Sequence, residues 1–342
     1  MRSYRPVPIQ EFVNAELDQR FTPLLREVDP LVRDEVLICR KRFSTWSDGV
    51  HTFHRVMLCR RRNACPIDAR VEAYGLADDA ISVIHSIFSK VGSKVKFLDL
   101  DFTLPRDVQS RVKDDELPLL RRIAWSVIIE ILASDGLKLG GVGVAQFWHT
   151  KDPLSGWYPH CHFTVFNMAF RGDQRVEFPV YVTPEKLEAI KSLWRERVEQ
   201  RWGVSKSRQW VLFARYSQGY GHLRHRLAYA FRYPVTDLYK AIQGGGYVSR
   251  PSEGWVRRML NRPRKEKRIQ WFGWMAQSRI YSYAERLEVS LPRKKEREAE
   301  RRRVFCPLCG RELERVFEGV SLEHIPAGSL LLVFRQEGIP SE

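Results

Sequence analysis

An α+β fold, a central antiparallel sheet with helices packed on one side, is what this sequence of 342 residues predicts. Apolar and polar residues alternate as a strand requires in Val95-Lys96-Phe97-Leu98-Asp99-Leu100-Asp101-Phe102-Thr103-Leu104. Elsewhere apolar residues recur at helical spacing, as Leu119, Leu120, Ile123, Val127, Ile128 and Ile131 do. The segments follow one another as strand, helix, strand, strand, helix, strand, which suits antiparallel pairing better than a doubly wound parallel sheet.

The N-terminal region, to about residue 75, is rich in Arg, Cys and His. A helix is expected from Leu76 to Val91, with Ile81, Ile84, Ile87 and Phe88 as its apolar face. The strand at 95–104 follows, and its Asp99 and Asp101, sharing one face, are expected to point to solvent. The next helix spans Glu116 to Ser134 and is expected to stop at Gly136 and Gly140-Gly141. Val142–Trp148 and His160–Asn167 read as strands joined by the polar loop His149–Gly156. Thr183-Pro184 opens a helix as N-cap and first helical residue, with Leu187, Ile190, Trp194 and Val198 on its apolar face. Val211–Tyr216 is the fourth strand.

The character changes at Gly244-Gly245-Gly246. Arg257, Arg258, Arg262, Arg264, Lys265, Lys267 and Arg268 precede Trp271, Phe272 and Trp274. That run suits either a surface that tracks a phosphate backbone and stacks bases, or a solvated basic loop before a buried aromatic strand. Arg293–Arg303 reads as charged helix or linker, and Cys306-Pro307-Leu308-Cys309-Gly310 as a zinc-knuckle-like turn. The expected division is therefore 1–75, 76–245 and 246–342.

A formal charge of +16 and a pI near 9.7 favour a polyanionic partner, most simply nucleic acid. Hydrophobic content of 44% excludes a disordered chain. No apolar run is long enough to cross a bilayer, and Met1-Arg2-Ser3-Tyr4-Arg5-Pro6 leads into no apolar leader, so no membrane partner and a cytoplasmic protein are expected.

Three groups of residues carry chemistry. In Pro159-His160-Cys161-His162-Phe163, read as a strand, His160 and His162 fall on one face and make half of a divalent-metal site. Cys39, His51, His54, Cys59, Cys65 and Asp68 are more candidate zinc ligands than one tetrahedron needs, so the set stays open between a structural zinc and unliganded side chains. Cys306 and Cys309 need a second pair, and only His324 with Glu318 or Glu323 is near in sequence. In Tyr229-Ala230-Phe231-Arg232-Tyr233-Pro234 two tyrosines four apart share a helical face, although Pro234 disfavours helical geometry at Tyr233.

An apolar strand, a His-x-His strand and a paired-tyrosine segment, in that order in a basic chain, resemble the HUH endonuclease superfamily. The resemblance is to rolling-circle replication initiators of the two-tyrosine class and covers roughly residues 50 to 245. Phe97-Leu98-Asp99-Leu100-Asp101 looks like the first motif, His160-Cys161-His162 like the second and Tyr229–Tyr233 like the third. Cys65-Pro66 with its flanking arginines looks like the family's N-terminal zinc region, and the late Cys-Pro-x-Cys-Gly element looks most like archaeal plasmid and virus initiators. Two positions depart from the pattern. Gln146 stands where an acidic third metal ligand is common, and Thr236 where a lysine is usual, with Lys240 one turn further on.

The resemblance implies a palm-like sheet and a nickase-ligase. His160, His162 and Gln146 would hold Mg²⁺ or Mn²⁺, alongside a structural Zn²⁺. Tyr233 would attack single-stranded origin DNA first and Tyr229 second, leaving a 5′-phosphotyrosine and a free 3′-OH. Arg232, Lys240, Arg264, Lys265, Lys267 and Arg268 would bind DNA. No Gly-x-x-x-x-Gly-Lys-[Ser/Thr] loop occurs, so a host helicase and polymerase are the expected partners. The competing readings are a single-strand transposase of the same class, a non-enzymatic zinc-bearing DNA-binding regulator and an RNA-binding module.

Overall fold

The computed structural model describes residues 4–8, 21–39, 41–133, 136–147, 158–207, 210–243, 260, 269–276, 278–291, 303–321, 324–325 and 329–334. The first part of the chain runs through β1 (Tyr4–Pro8), α1 (Pro30–Leu37), β2 (Arg42–Ser47), β3 (Thr52–Val56) and α2 (Pro66–Lys90). Then come β4 (Lys96–Phe102), α3 (Arg106–Gln109), α4 (Leu117–Leu132), β5 (Leu137–Gln146), β6 (His160–Arg171), β7 (Gln174–Glu177) and α5 (Pro184–Trp202). β8 (Leu212–Gln218), α6 (Tyr220–Phe231), α7 (Pro234–Gln243), β9 (Ile269–Gly273), α8 (Ile280–Arg286), β10 (Val304–Phe305), β11 (Glu312–Ser321) and β12 (Leu330–Phe334) follow.

The central sheet has the order β8-β4-β6-β5-β9, with β7 beside β6, and every pairing in it is antiparallel. β6 lies at its middle and is buried along almost its whole length, which requires cover on both faces. Helices supply it on both sides, not on one as expected. On one face Leu98, Leu100, Phe102, Phe163 and Val165 pack with Ala124 and Ile128 of α4 and with Ile190, Trp194 and Val198 of α5. On the other, Phe97, Val142, Val144, Phe166, Met168 and Phe170 pack with Ile81, Ile84 and Phe88 of α2 and with Leu223, Leu227 and Phe231 of α6.

Local chemistry explains most element boundaries. Thr183 caps α5 as expected, its Oγ1 accepting from Lys186 N at 3.4 Å. α2 begins ten residues before Leu76, because Cys65 caps it and Pro66 supplies the first turn. Its first half buries Ala69, Ala73 and Ala77, a weaker apolar signal than the later isoleucines. Gly140 and Gly141 do not end α4, which stops at Leu132; they lie inside β5. A Cβ on Gly140 would sit 2.3 Å from the Trp274 indole, and one on Gly143 2.3 Å from the Phe163 ring, so the strand carries glycine where aromatic rings lie against its backbone.

A second sheet has the order β1-β12-β3-β2-β11-β10, with β12 parallel to β3 and the other pairs antiparallel. Strands from the two ends of the chain therefore build one layer, closed over Phe53, Val304, Leu313 and Leu332. β9, from the expected C-terminal region, is an edge of the central sheet. This topology cuts across the division at 75/76 and 245/246, since composition marks where arginines gather and not which distant strands pair. Among the described residues no helix is long and apolar enough to cross a membrane.

Candidate active site

On the face of the central sheet covered by α6, the apolar floor gives way to polar side chains toward one end. In β6 the period of two that buries Phe166, Met168 and Phe170 also places Thr164, His162 and His160 on that face. Register sets Asp99 opposite Thr164, Asp101 opposite His162, and Gln146 opposite His160. Asp99 and Asp101 do not face solvent: β4 is an interior strand, and Asp99 is 3% exposed. From α6, Arg226 and Tyr229, three residues apart and so on one helical face, reach this patch.

The hydrogen bonds set both imidazole tautomers. His160 Nδ1–H donates to the Tyr158 carbonyl at 2.7 Å, and His162 Nδ1–H donates to Asp101 Oδ1 at 2.6 Å. A carbonyl and a carboxylate only accept, so each Nδ1 carries a proton and each neutral ring keeps its lone pair on Nε2. The rings lie 4.8 Å apart, and His162 Nε2 is buried and makes no hydrogen bond among the described residues. A carboxylate or carbonyl behind each histidine is how metal-binding imidazoles are commonly oriented. Gln146 Nε2 donates to the Ala230 carbonyl at 2.6 Å, tying the third expected ligand to α6 through its amide nitrogen and leaving its oxygen as the donor for a cation.

Arg226 joins the two aspartates, contacting Asp101 Oδ1 with one nitrogen and lying 3.3 Å from Asp99 Oδ1 with another. Thr164 Oγ1 donates to Asp99 at 2.7 Å. Burial pushes the Asp99 carboxyl up, and Arg226 and Thr164 only partly offset it, leaving it at about 6. Burial also acts on Asp101, but His162 and Arg226 outweigh it and hold that carboxyl at about 2. Asp101 is thus an anion at neutral pH, as an orienting partner for His162 must be.

The tyrosines part company. α6 ends at Phe231, Arg232 is extended (φ −60°, ψ 150°), and Pro234 starts α7, so Tyr229 and Tyr233 share no helical face. Pro234 disfavours helical geometry at the residue before it and cannot supply the N–H that would continue α6. Tyr229 packs edge-on against His162 at 5.5 Å, with the Arg232 guanidinium 3.9 Å over its ring. Tyr233 is 6% exposed, packed in the core with Val235 and Leu238 and with Arg62 5.5 Å from its ring centre. A cleft of about 740 Å³ is lined by Tyr229, His160, His162, Asp101 and Tyr158, together with Arg106, Lys206 and Phe213. Tyr233 does not line it.

The remaining predicted residues sort differently from expectation. Arg232 pairs with Asp237 at 2.9 Å while covering Tyr229, and Thr236 is buried. The side chain of Lys240 and all of Arg264, Lys265, Lys267 and Arg268 lie outside the described residues. Of the aromatics after them, Trp271 and Phe272 lie on the half-buried edge strand β9 and Trp274 just beyond it: Phe272 stacks on Trp125 at 4.9 Å, and Trp274 Nε1 donates to the Met168 carbonyl. The cysteines and histidines form two clusters able to hold a metal ion, Cys39 with Cys59 and Cys65, and Asp48 with His51, Cys306 and Cys309. Asp68 Oδ2 is 4.0 Å from Cys59 Sγ, beside the first cluster. His54 joins neither; its Nδ1 is bonded to Thr45 Oγ1 at 3.2 Å, and burial lowers its pKa. His324 is exposed, and Glu318 pairs with Arg315.

Arg226, Asp101, Phe213 and Asp48 escaped the sequence reading. The alternation of Asp99 and Asp101 was a usable signal, since polar residues on an interior strand need a buried partner. Compared with protein-family models, curated proteins and solved structures, the chain matches none.

Proposed function

We propose that this chain is a single-strand DNA endonuclease and strand transferase of the HUH kind, acting in the cytoplasm as a replication initiator, with Tyr229 as its nucleophile. The observation that carries the reading is Tyr229 set against His162, with His160 beside them, in one cleft. His160, His162 and the Gln146 oxygen would hold Mg²⁺ or Mn²⁺, which when bound supplies Lewis-acid polarisation of a phosphate oxygen. The buried Nε2 of His162 and the tautomer set by Asp101 fit such an ion.

The Tyr229 oxygen attacks the scissile phosphorus, a phosphorus–oxygen bond to tyrosine forms, and the bond to the 3′ oxygen breaks. The phenol proton is lost to solvent and the departing 3′ oxygen gains one, so the products are a 5′-phosphotyrosine and a 3′-OH. The phosphodiester energy is retained in the new bond, which lets the reverse step rejoin strands. Arg226 and Arg232, 5.6 and 3.9 Å from the centre of the Tyr229 ring, place positive charge near the reacting oxygens. Phe213, exposed on β8 opposite Asp101, gives a base a face to stack on, and Arg106 and Lys206 suit the backbone phosphates. In this reading one tyrosine serves the site and Tyr233 is structural. Cys39, Cys59 and Cys65, with Asp68, form a structural zinc site, and helicase and polymerase come from the host.

Incubation of labelled single-stranded origin oligonucleotides with Mn²⁺ tests this on a denaturing protein gel. A covalent band lost in Tyr229→Phe and His160→Ala, and kept in Tyr233→Phe, is expected. Tight binding with no cleavage of any fragment would overturn it in favour of a zinc-bearing regulator, the second reading, which the two cysteine clusters and the charge of +16 favour.

A further inference from the structure

The Cys306–Cys309 turn acquires its missing partners from the other end of the chain. Cys306 lies 255 residues from His51 in sequence, yet β11 pairs antiparallel with β2, Glu314 opposite Ser47, and brings the two turns together. One turn joins β10 to β11; the other, Asp48-Gly49-Val50-His51, joins β2 to β3. Asp48 is held by its own turn: Oδ1 accepts from Val50 N at 2.9 Å and from His51 N at 2.6 Å. Its Oδ2 is turned to the cysteines, 3.0 Å from Cys309 Sγ and 3.2 Å from His51 Nδ1. His51 Nδ1 is 3.6 Å from Cys306 Sγ and 3.7 Å from Cys309 Sγ.

These separations are the edges of a particular tetrahedron. With Zn–S near 2.3 Å and Zn–N and Zn–O near 2.0 Å, tetrahedral angles give edges of about 3.5 Å from sulfur to nitrogen or oxygen and ~3.3 Å from nitrogen to oxygen. Three of the four edges agree within about 0.2 Å, and the Cys309–Asp48 edge is shorter by roughly 0.5 Å. The nitrogen–sulfur and nitrogen–oxygen edges fit a zinc ion, and the Cys309–Asp48 edge is the one that must open to admit it. Two sulfurs, one imidazole and one carboxylate are a donor set that suits zinc and leaves little for Mg²⁺ or Ca²⁺. The surroundings call for such a link. β10 has two residues, and among the described residues the hairpin it makes with β11 buries Val304, Cys306 and Leu313 against Phe53 and Leu332. A core that small is commonly reinforced by a metal or a disulfide.

We propose that Asp48, His51, Cys306 and Cys309 bind one Zn²⁺ in a closed tetrahedral site that staples the C-terminal hairpin to the N-terminal β2–β3 hairpin. The site is independent of the endonuclease reading and of the Cys39–Cys59–Cys65 cluster. Its four protein ligands leave no open position for substrate, so its role is to hold the second sheet together.

The test uses the full chain, with zinc counted by atomic emission and the site probed with Co²⁺. The Cys306→Ser/Cys309→Ser double variant should lose one zinc per chain and the thiolate-to-cobalt absorption of two sulfurs. Cys39→Ser/Cys59→Ser should leave that equivalent in place. Asp48→Asn should keep a tetrahedral cobalt spectrum but bind zinc at least ~10-fold more weakly. Because the double variant could misfold, the wild-type chain is also treated with a chelator and digested lightly. Cleavage should appear within residues 303–321 and disappear when Zn²⁺ is restored. Unchanged zinc content in the double variant, an octahedral cobalt spectrum, or identical digestion with and without chelator would each overturn the proposal.

Discussion

Two groups of side chains proposed here as metal sites, the cleft histidines with Gln146 and the Asp48–His51–Cys306–Cys309 cluster, are built in opposite ways. The cleft on the central sheet is lined by two imidazoles, with the Gln146 amide opposite His160 on the neighbouring strand, and has space for a substrate. The turn cluster on the second sheet offers two thiols, an imidazole and a carboxylate, four ligand atoms close enough together to hold one metal ion. A catalytic ion needs an open position and a structural one does not. The same difference appears in what stands behind the ligands. His162 is backed by Asp101, and Asp101 by Arg226, so the cleft is preorganised by a buried charge network. Asp48 and His51 are positioned by their own hairpin turn.

The contrast predicts a clean exchange of phenotypes. His160→Ala or Tyr229→Phe should lower strand cleavage by at least ~10³-fold while zinc content stays as in the wild type. Cys306→Ser/Cys309→Ser should do the reverse, losing zinc and keeping cleavage within a few-fold at a temperature where the chain is folded. Parallel activity and metal assays on the four proteins decide it; loss of both properties in every variant would break the comparison.

A second effect falls on stability. Arg226→Ala leaves Asp99 and Asp101 facing each other without their cation, and urea titration should show a loss of ~2–4 kcal/mol. Arg226→Lys should recover only part of that, since a single ammonium does not reproduce the two contacts. A loss below about 0.5 kcal/mol would mean that water enters the site and screens the pair.

The pH dependence is smaller and has a definite sign. Asp99 is held at about 6, above its ordinary value of 3.8, so folding favours its protonated form. Its stabilising contribution is full below the ordinary value and is lost as pH rises through about 6. Asp99→Asn should therefore remove a decline of the order of 1–2 kcal/mol between pH 4 and 6. Asp101, held at about 2, works the other way, and its contribution disappears only as pH falls from the ordinary value toward 2. Stability curves of the two proteins that run parallel across this window would contradict the buried environment of Asp99.

The smallest expected effect separates His54 from the ligands. His54→Ala should leave zinc content unchanged and cost about 1–2 kcal/mol, from the lost bond to Thr45 and some packing. A stoichiometric loss of metal would place His54 in a cluster after all.

What could be read from the sequence follows the range of the signal. His160, Cys161 and His162 are a local pattern on a strand whose apolar run is visible around them, and the strand and its shared face are as expected. The order of the longer strands and helices from β4 to β8 was equally legible, because each carries its own period, whereas the four-residue α3 and β7 are too short to show one. The pairing of Tyr229 with Tyr233 failed at Pro234, a breaker whose effect on the preceding residue outweighs the four-residue spacing. Asp48 went unnoticed although His51 is three residues on, because its cysteine partners lie more than 250 residues away and strand pairing over that distance leaves no local mark. Burial of Asp99 likewise depends on Arg226, which only the packing of α6 on the sheet brings into contact.

The most direct measurement locates the covalent bond. After reaction with a single-stranded origin oligonucleotide and Mn²⁺, nuclease trimming and tryptic digestion separate the two tyrosines, because cleavage after Arg226 and Arg232 isolates Leu227–Arg232 from the peptide that starts at Tyr233. The account predicts the nucleotide mass on Tyr229 of the first peptide. A nucleotide on Tyr233 would contradict the assignment of the cleft.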